Sequence, residues 1–371
     1  MRYSVAGLLF MALAAGPALS EEILRPPVAA GSFYPDNPQA LMDAIHGFYR
    51  ATATAPLPGK IVALIVPHSG YEFSGQIAAQ AFELLQPGQY QRVIILAPAH
   101  FVAFENCSIP IASAFVTPFG VVPLDGEAIE RLTLSTLVST RALHYGDKRR
   151  KPLHESEHSI EVLLPFLQER LGLFKLVPIL VGSLNDAHGN FNPNSVVAVA
   201  DALKTIIDER TLLIVSSDFT HFGNDFSFRP FNDNILANIQ QLDEDAFRLI
   251  ARRDSEHLQK YVEKTGITIC GEMAIQVLMK ALPAHTVGRV LAYDLSARKT
   301  GNQDRSVSYG ALAFADPTAA VPETKVEPNP LAIPLARLPG GGATVVDAAP
   351  AEPQTPAPAP EAPVSAPSTP R

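Results

Sequence analysis

Tryptophan is absent from this 371-residue chain, and cysteine occurs only twice, at Cys107 and Cys270. Two cysteines cannot staple a scaffold, so the fold must rest on a hydrophobic core. An oxidising compartment would still permit one bond between them. Positive charge is also short: 29 Lys and Arg against 37 Asp and Glu give a formal net charge of -8. An electrostatic nucleic-acid footprint is therefore not expected. The one basic cluster, Lys148-Arg149-Arg150-Lys151, lies between Gly146 and Pro152 and reads as a solvated loop. No run is apolar enough and long enough to predict a membrane span.

The two ends differ from the middle. Residues 1–20 have the layout of a secretory signal: Arg2, an apolar core from Val5 to Ala15, and the small-residue site Ala18-Leu19-Ser20. The expectation is an exported protein, periplasmic or secreted. From Pro317 onward the chain turns to Pro, Ala, Thr and Glu, too poor in apolar surface to offset the entropy of ordering. Residues 317–371 are accordingly expected to be a disordered tail. Residues 21–316 remain, enough for one large α/β domain.

Within that domain strand-like and helix-like runs alternate, which predicts a largely parallel or mixed sheet with helices on both faces. Ile61–Val66 is a short apolar run that ends in Pro67-His68-Ser69-Gly70. Val93–Ala97 ends likewise in Pro98-Ala99-His100, and Leu212–Val215 in Ser216-Ser217-Asp218 with His221 beyond. Open α/β sheets place their chemistry at the carboxyl ends of strands. One strand-end histidine is more readily structural than functional; three favour a shared site.

A helix is expected over Gly126–Leu137, and another through Glu157-His158-Ser159-Ile160-Glu161 into VLLPFLQERL, kinked at Pro165 or with its first part ended there. Ile267–Cys270 looks like a strand that gives way to a helix. A thiol at a helix N-terminus should have a lowered pKa and bind soft metals as thiolate. His68, His100 and Cys270 would then form a three-ligand site. Asp218 and His221 would orient a ligand or move a proton beside it. Cys107 reads as a packed thiol. His46, His144, His154, His188, His257 and His285 lack a strand-end context and are expected at the surface.

The stretches RPPVAAGSFYP, PHSGYEFSGQIAA, APAH, EHSIEVLLPFL, VPILVG, SSDFTHFG, ICGE and SVSYGA, in order over residues 25–315, resemble the Memo family, called AmmeMemoRadiSam system protein B in prokaryotes. The resemblance implies a fold similar to the class III extradiol non-haem iron dioxygenases. It implies metal ligands at His68, His100 and Cys270, with Asp218 and His221 alongside. Cys270 replaces the carboxylate of the dioxygenase triad, changing charge, softness and redox behaviour. Phe73 stands where many members have tyrosine, and Ser69 where alanine is usual. Tyr71, Phe73, Glu157, His158 and Ser217 are expected to line the pocket.

The function expected from these readings is an iron(II)- or copper-dependent oxidoreductase acting on a small-molecule or peptide ligand, with His221 as general acid/base held by Asp218. A non-catalytic copper- or iron-binding or peptide-binding protein is the alternative. A zinc hydrolase ranks third, since two histidines, a thiolate and water also suit zinc.

Overall fold

The computed structural model describes residues 23–141 and 152–321. The expected signal, His144, the basic cluster Lys148–Lys151 and the tail beyond Val321 lie outside the described residues.

The chain begins with β1 (Leu24–Arg25), α1 (Pro38–Arg50), β2 (Lys60–Val66), α2 (Tyr71–Phe82) and β3 (Arg92–Ala97). Short strands follow: β4 (Cys107–Ile109), β5 (Ala114–Thr117) and β6 (Gly120–Pro123), then α3 (Gly126–Leu132) and β7 (Val138–Thr140). Next come α4 (Leu153–Ser156), α5 (Leu164–Leu171), β8 (Lys175–Val181), α6 (Pro193–Lys204), β9 (Thr211–Ser216) and β10 (His221–Gly223). The last elements are α7 (Ile235–Ala251), α8 (Ser255–Thr265), α9 (Glu272–Ala281), β11 (Val287–Leu295), α10 (Ser296–Thr300) and β12 (Arg305–Asp316).

The central sheet has nine strands in the order β10-β12-β2-β9-β3-β8-β4-β7, with β11 also on β12. Its middle, β2-β9-β3-β8, is parallel, while β12 runs antiparallel to β2, β10 and β11. The sheet is therefore mixed. A small sheet, β1-β5-β6, stands apart.

The continuous apolar strands are buried on both sides, with period two deciding which core each residue enters. Leu64, Val66, Val93, Ile95, Leu212 and Ile214 join one core with residues of α1, α2 and α5. Ala63, Ile65, Ile94, Leu96, Leu213 and Val215 join the other with α6, α7 and α9. Each fully buried Ile or Leu contributes about 1.5–3 kcal/mol of transfer free energy, so these strands form the least yielding part of the molecule.

This topology positions the site. β9 separates β2 from β3, so the loops leaving β2, β3 and β9 emerge side by side at one sheet edge. Helix α2, after β2, packs in one core, and α6, before β9, in the other. Divergence of that kind opens a crevice at the carboxyl ends of the strands.

Four local expectations are corrected. Helix α3 ends at Leu132, and Val138–Thr140 is strand, paired with β4. Glu157 is not helical: at φ -82°, ψ 132° it ends α4, and a 3-10 turn starts only at Glu161. Pro165 falls at the start of α5, where its missing N–H has no partner to lose, and so kinks nothing. Ile267–Cys270 joins no sheet; it is an irregular approach to α9.

Candidate metal centre

His68 follows the last residues of β2 and is 1% exposed. Its backbone N–H donates to Asp218 Oδ1 at 3.0 Å, and Ser69 Oγ donates to Oδ2 at 2.5 Å. Its Nδ1 lies 2.7 Å from Ser216 Oγ, whose own proton goes to the Ser159 carbonyl at 2.6 Å. A hydroxyl has one proton, so Nδ1–H must be the donor to Ser216. The Nε2 lone pair is left free, 3.6 Å from Cys270 Sγ. Burial, then the neighbouring His100 and His158, holds the imidazole pKa well below the usual value, so it is neutral, as a ligand must be.

His100 is oriented by a carboxylate. Glu157 takes its backbone N–H at 2.7 Å and its Nδ1 at 2.9 Å. The same carboxylate accepts the backbone N–H groups of His158 (2.9 Å) and Ser159 (3.0 Å). Burial alone would raise the Glu157 pKa, but the hydrogen bond and charge of His100 outweigh it, and the group stays ionised. A carboxylate on Nδ1–H that leaves Nε2 for the metal is the usual support of a metal-binding histidine. Without a metal, burial lowers the His100 pKa, but hydrogen bonds with Cys270 and Glu157 prevail and raise it well above the usual value.

Cys270 Sγ accepts the Asp218 backbone N–H at 3.1 Å and lies 3.9 Å from Ser217 Oγ. The expected lowering of its pKa is not what the structure gives. Burial raises it, ahead of the opposing hydrogen bond from His100, and Cys270 precedes rather than occupies the first turn of α9. A bound metal deprotonates a coordinating thiol outright and does not need a pre-formed thiolate. Both cysteines are free.

His68, His100 and Cys270 are brought together, with their ligand atoms all within 4.8 Å of one another. Metal–nitrogen and metal–sulfur distances of about 2.0–2.1 and 2.3 Å place N and S roughly 3.5 Å apart in a tetrahedron. The 3.6 Å between His68 Nε2 and Cys270 Sγ fits that spacing. A second group, His100, Glu157 and His158, shares His100 with the first. The His158 ring stacks on His100 with centroids 4.7 Å apart and lies against Phe33 at 4.4 Å. Burial takes its pKa down to about 4. A cavity of about 310 Å³ borders Cys270, walled by Val102, Phe104 and Met273 and by the polar Ser183, Asn185 and Glu272.

The expected Asp218–His221 pairing is replaced by a different arrangement. Asp218 faces the β2 loop, whereas His221 Nδ1 donates to the carbonyls of Phe219 (2.7 Å) and Thr268 (3.1 Å). Two carbonyls can only accept, so His221 also carries its proton on Nδ1 and presents Nε2. Tyr71 packs among Tyr34, Phe48 and Phe166 and donates to the Val162 carbonyl, which commits it to the core. Phe73 is half-buried against the same core. Ser217 is buried beside Cys270, its Oγ accepting the Gly271 N–H at 3.0 Å. His154, expected at the surface, is buried against Ser108, with its pKa taken down to about 3 by burial.

Sequence reasoning had no role for Ser216, Ser159 or Thr268, because neighbouring-strand partners leave no local pattern. The Ser216-Ser217 pair at a strand end was the only available signal.

Two consequences are measurable. A Cβ on Gly271 would lie 2.5 Å from Ser217 Cβ and 2.9 Å from the Ser216 carbonyl. Gly271→Ala is expected to cost about 1–3 kcal/mol through overpacking and to weaken metal uptake by displacing Cys270. Denaturant melts and metal titration test this; unchanged values in both would refute the close approach.

Asp243 is fully buried, accepting from Thr220 and Tyr293, and burial prevails over these bonds to push its pKa up to about 6. A raised folded-state pKa contributes stability below about pH 4 that is lost as pH rises through about 6. Wild type should therefore lose up to about 3 kcal/mol relative to Asp243→Asn between pH 4 and 7. Parallel stability curves would exclude the effect.

A profile of Memo-like proteins matches residues 25–313. The chain is 33% identical over 276 residues to the protein memo-1 homolog of Caenorhabditis elegans, covering 71% of this chain and 75% of that one. A MEMO1 family protein of Schizosaccharomyces pombe is 28% identical over 319 residues, 78% of this chain and 98% of its own length. Protein MEMO1 of Xenopus laevis is 29% identical over 308 residues, 80% and 98% respectively.

Proposed function

The chain belongs to the Memo family, and from that premise we propose that it is a metal-dependent oxidoreductase using iron(II) or copper. His68 Nε2, His100 Nε2 and Cys270 Sγ would be the ligands. One observation carries the reading: three histidines each have Nδ1–H tied to an acceptor, and in two of them Nε2 faces a thiol. The bound metal would supply an electrophilic, redox-active centre with open positions for a small ligand.

The protein's own residues do the rest. Ser216 and Glu157 hold the two ligand rings against rotation. His221, its Nδ1 proton given to carbonyls, keeps Nε2 free to take a proton from a bound ligand. The cavity beside Cys270 is bounded by Ser183, Asn185 and Glu272 as well as by Val102, Phe104 and Met273, which suits a compact ligand with both polar and apolar groups.

The decisive experiment is metal analysis of anaerobically purified protein, followed by oxygen-uptake measurements with candidate ligands. Stoichiometric iron or copper with ligand-dependent oxygen uptake supports the reading. Bound copper without redox turnover supports the second reading, a metal-binding protein, which the thiol in place of a carboxylate favours. Zinc with hydrolytic activity would replace both.

Export is part of the proposal, resting on residues 1–20. The purified mature protein is expected to begin near Glu21; amino-terminal sequencing that returns Met1 would reject this. Among the described residues no helix is long and apolar enough to cross a membrane.

A further inference from the structure

The geometry points to Arg25 as the positioning residue that sets both histidines of the centre. It touches neither. Arg25 is 2% exposed, and its guanidinium reaches three places on one segment. Nε–H donates to the His154 carbonyl at 3.0 Å, Nη2 donates to the Glu157 carbonyl at 2.6 Å, and Nη1 pairs with the Glu161 carboxylate.

Glu161 is fully buried and also accepts from the backbone of Val28 and Ala29 and from the Tyr34 hydroxyl. The segment from 157 to 161 is thus pinned at both ends by one side chain. Between the pins lie the two groups that orient the rings. The Glu157 carboxylate takes His100 Nδ1–H directly, and the Ser159 carbonyl takes the Ser216 hydroxyl that in turn receives His68 Nδ1–H. Ser159 Oγ ties the same segment to the Pro98 carbonyl, two residues before His100.

Only a planar fork satisfies carbonyls at 154 and 157 and a carboxylate at 161 together. An ammonium has the charge without the fork. Arg25→Lys therefore keeps the ion pair with Glu161 and releases at least one carbonyl, which frees Glu157 to shift.

The test reads rings and metal separately. In metal-free protein, the Nδ1-bound protons of His68 and His100 are followed by 1H–15N spectra as exchange-protected signals. Affinity for Co2+ is read from the thiolate-to-cobalt absorption band. Arg25→Lys is expected to lose or broaden both ring signals and to weaken Co2+ binding about 10–100-fold, as loss of a group that orients a ligand does. Arg92→Lys is the stability control, because Arg92 pairs with Asp125 and Asp208 at the amino end of β3. It should lower the melting temperature with ring signals and Co2+ affinity unchanged.

Ring signals and affinity at wild-type values in Arg25→Lys, whatever its melting temperature, would overturn the proposal. If Arg25→Lys does not fold, Glu161→Gln takes its place, since it loosens the same guanidinium while keeping the shape; intact signals and affinity there would overturn it equally. Only the Co2+ arm rests on the metal reading. Wild-type protein with both protected ring protons but no Co2+ uptake would dispose of the metal and leave the positioning role to the ring signals alone.

Discussion

Cys270→Ser is expected to lower affinity for a soft metal by more than about 100-fold, beyond the roughly 10–100-fold that follows loss of an orienting partner. Serine keeps the volume but offers a hard, protonated oxygen in place of the sulfur that makes the site attractive to copper or iron. Cys107→Ser is expected to change affinity by no more than about twofold, because that residue has no part in the ligand set. Cys107 is fully buried in β4, and burial pushes its pKa up to about 12, which keeps it a packed, inert thiol. Chelator competition on both purified variants, with metal counted per chain, makes the comparison. Equal losses in the two variants would defeat the assignment of Cys270.

Glu161→Ala is expected to cost about 3–5 kcal/mol of stability, as removal of one partner of a buried ion pair does. The guanidinium of Arg25 would remain 2% exposed with its counter-charge gone. The N–H groups of Val28 and Ala29 and the Tyr34 hydroxyl would lose their acceptor as well. In a domain of this size each kcal/mol moves the midpoint by roughly 2–4 °C, so the melting temperature should fall by about 6–20 °C. A measured loss below about 1 kcal/mol would mean that water reaches the pair and would refute its role as a buried contact.

The parts of the site legible in the sequence are those with a local cause. Ile61–Val66, Val93–Ala97 and Leu212–Val215 are apolar on both faces because both faces are covered, so their ends, and with them His68 and His100, could be placed in advance. Misreadings arose where local spacing suggested a partner that the fold supplies from elsewhere. Glu157 and Glu161 have helical spacing, yet each is claimed by a distant group, His100 and Arg25. Asp218 and His221 are three apart, yet Asp218 turns to the His68 loop and His221 to backbone carbonyls.

For Cys270 burial and the hydrogen bond from His100 oppose each other, and only the structure shows that burial is the larger. Likewise, nothing around His154 in the chain reveals that Ser108 and the Arg25 side chain enclose it. Arg25 and Glu161 lie 136 residues apart, a separation at which no periodicity carries information.

The insertion of β9 between β2 and β3 has a kinetic meaning. His68 and Cys270 are 202 residues apart and face each other only because a late strand slots between two early ones. Closing loops of that length precedes any reward from the contacts they make, so the centre must assemble near the end of folding. An ion that arrived earlier would find single histidines and a lone thiol. Metal capture, if the proposed ligand set holds an ion, would then act as proofreading: by mass action it would stabilise only chains that have already completed the sheet.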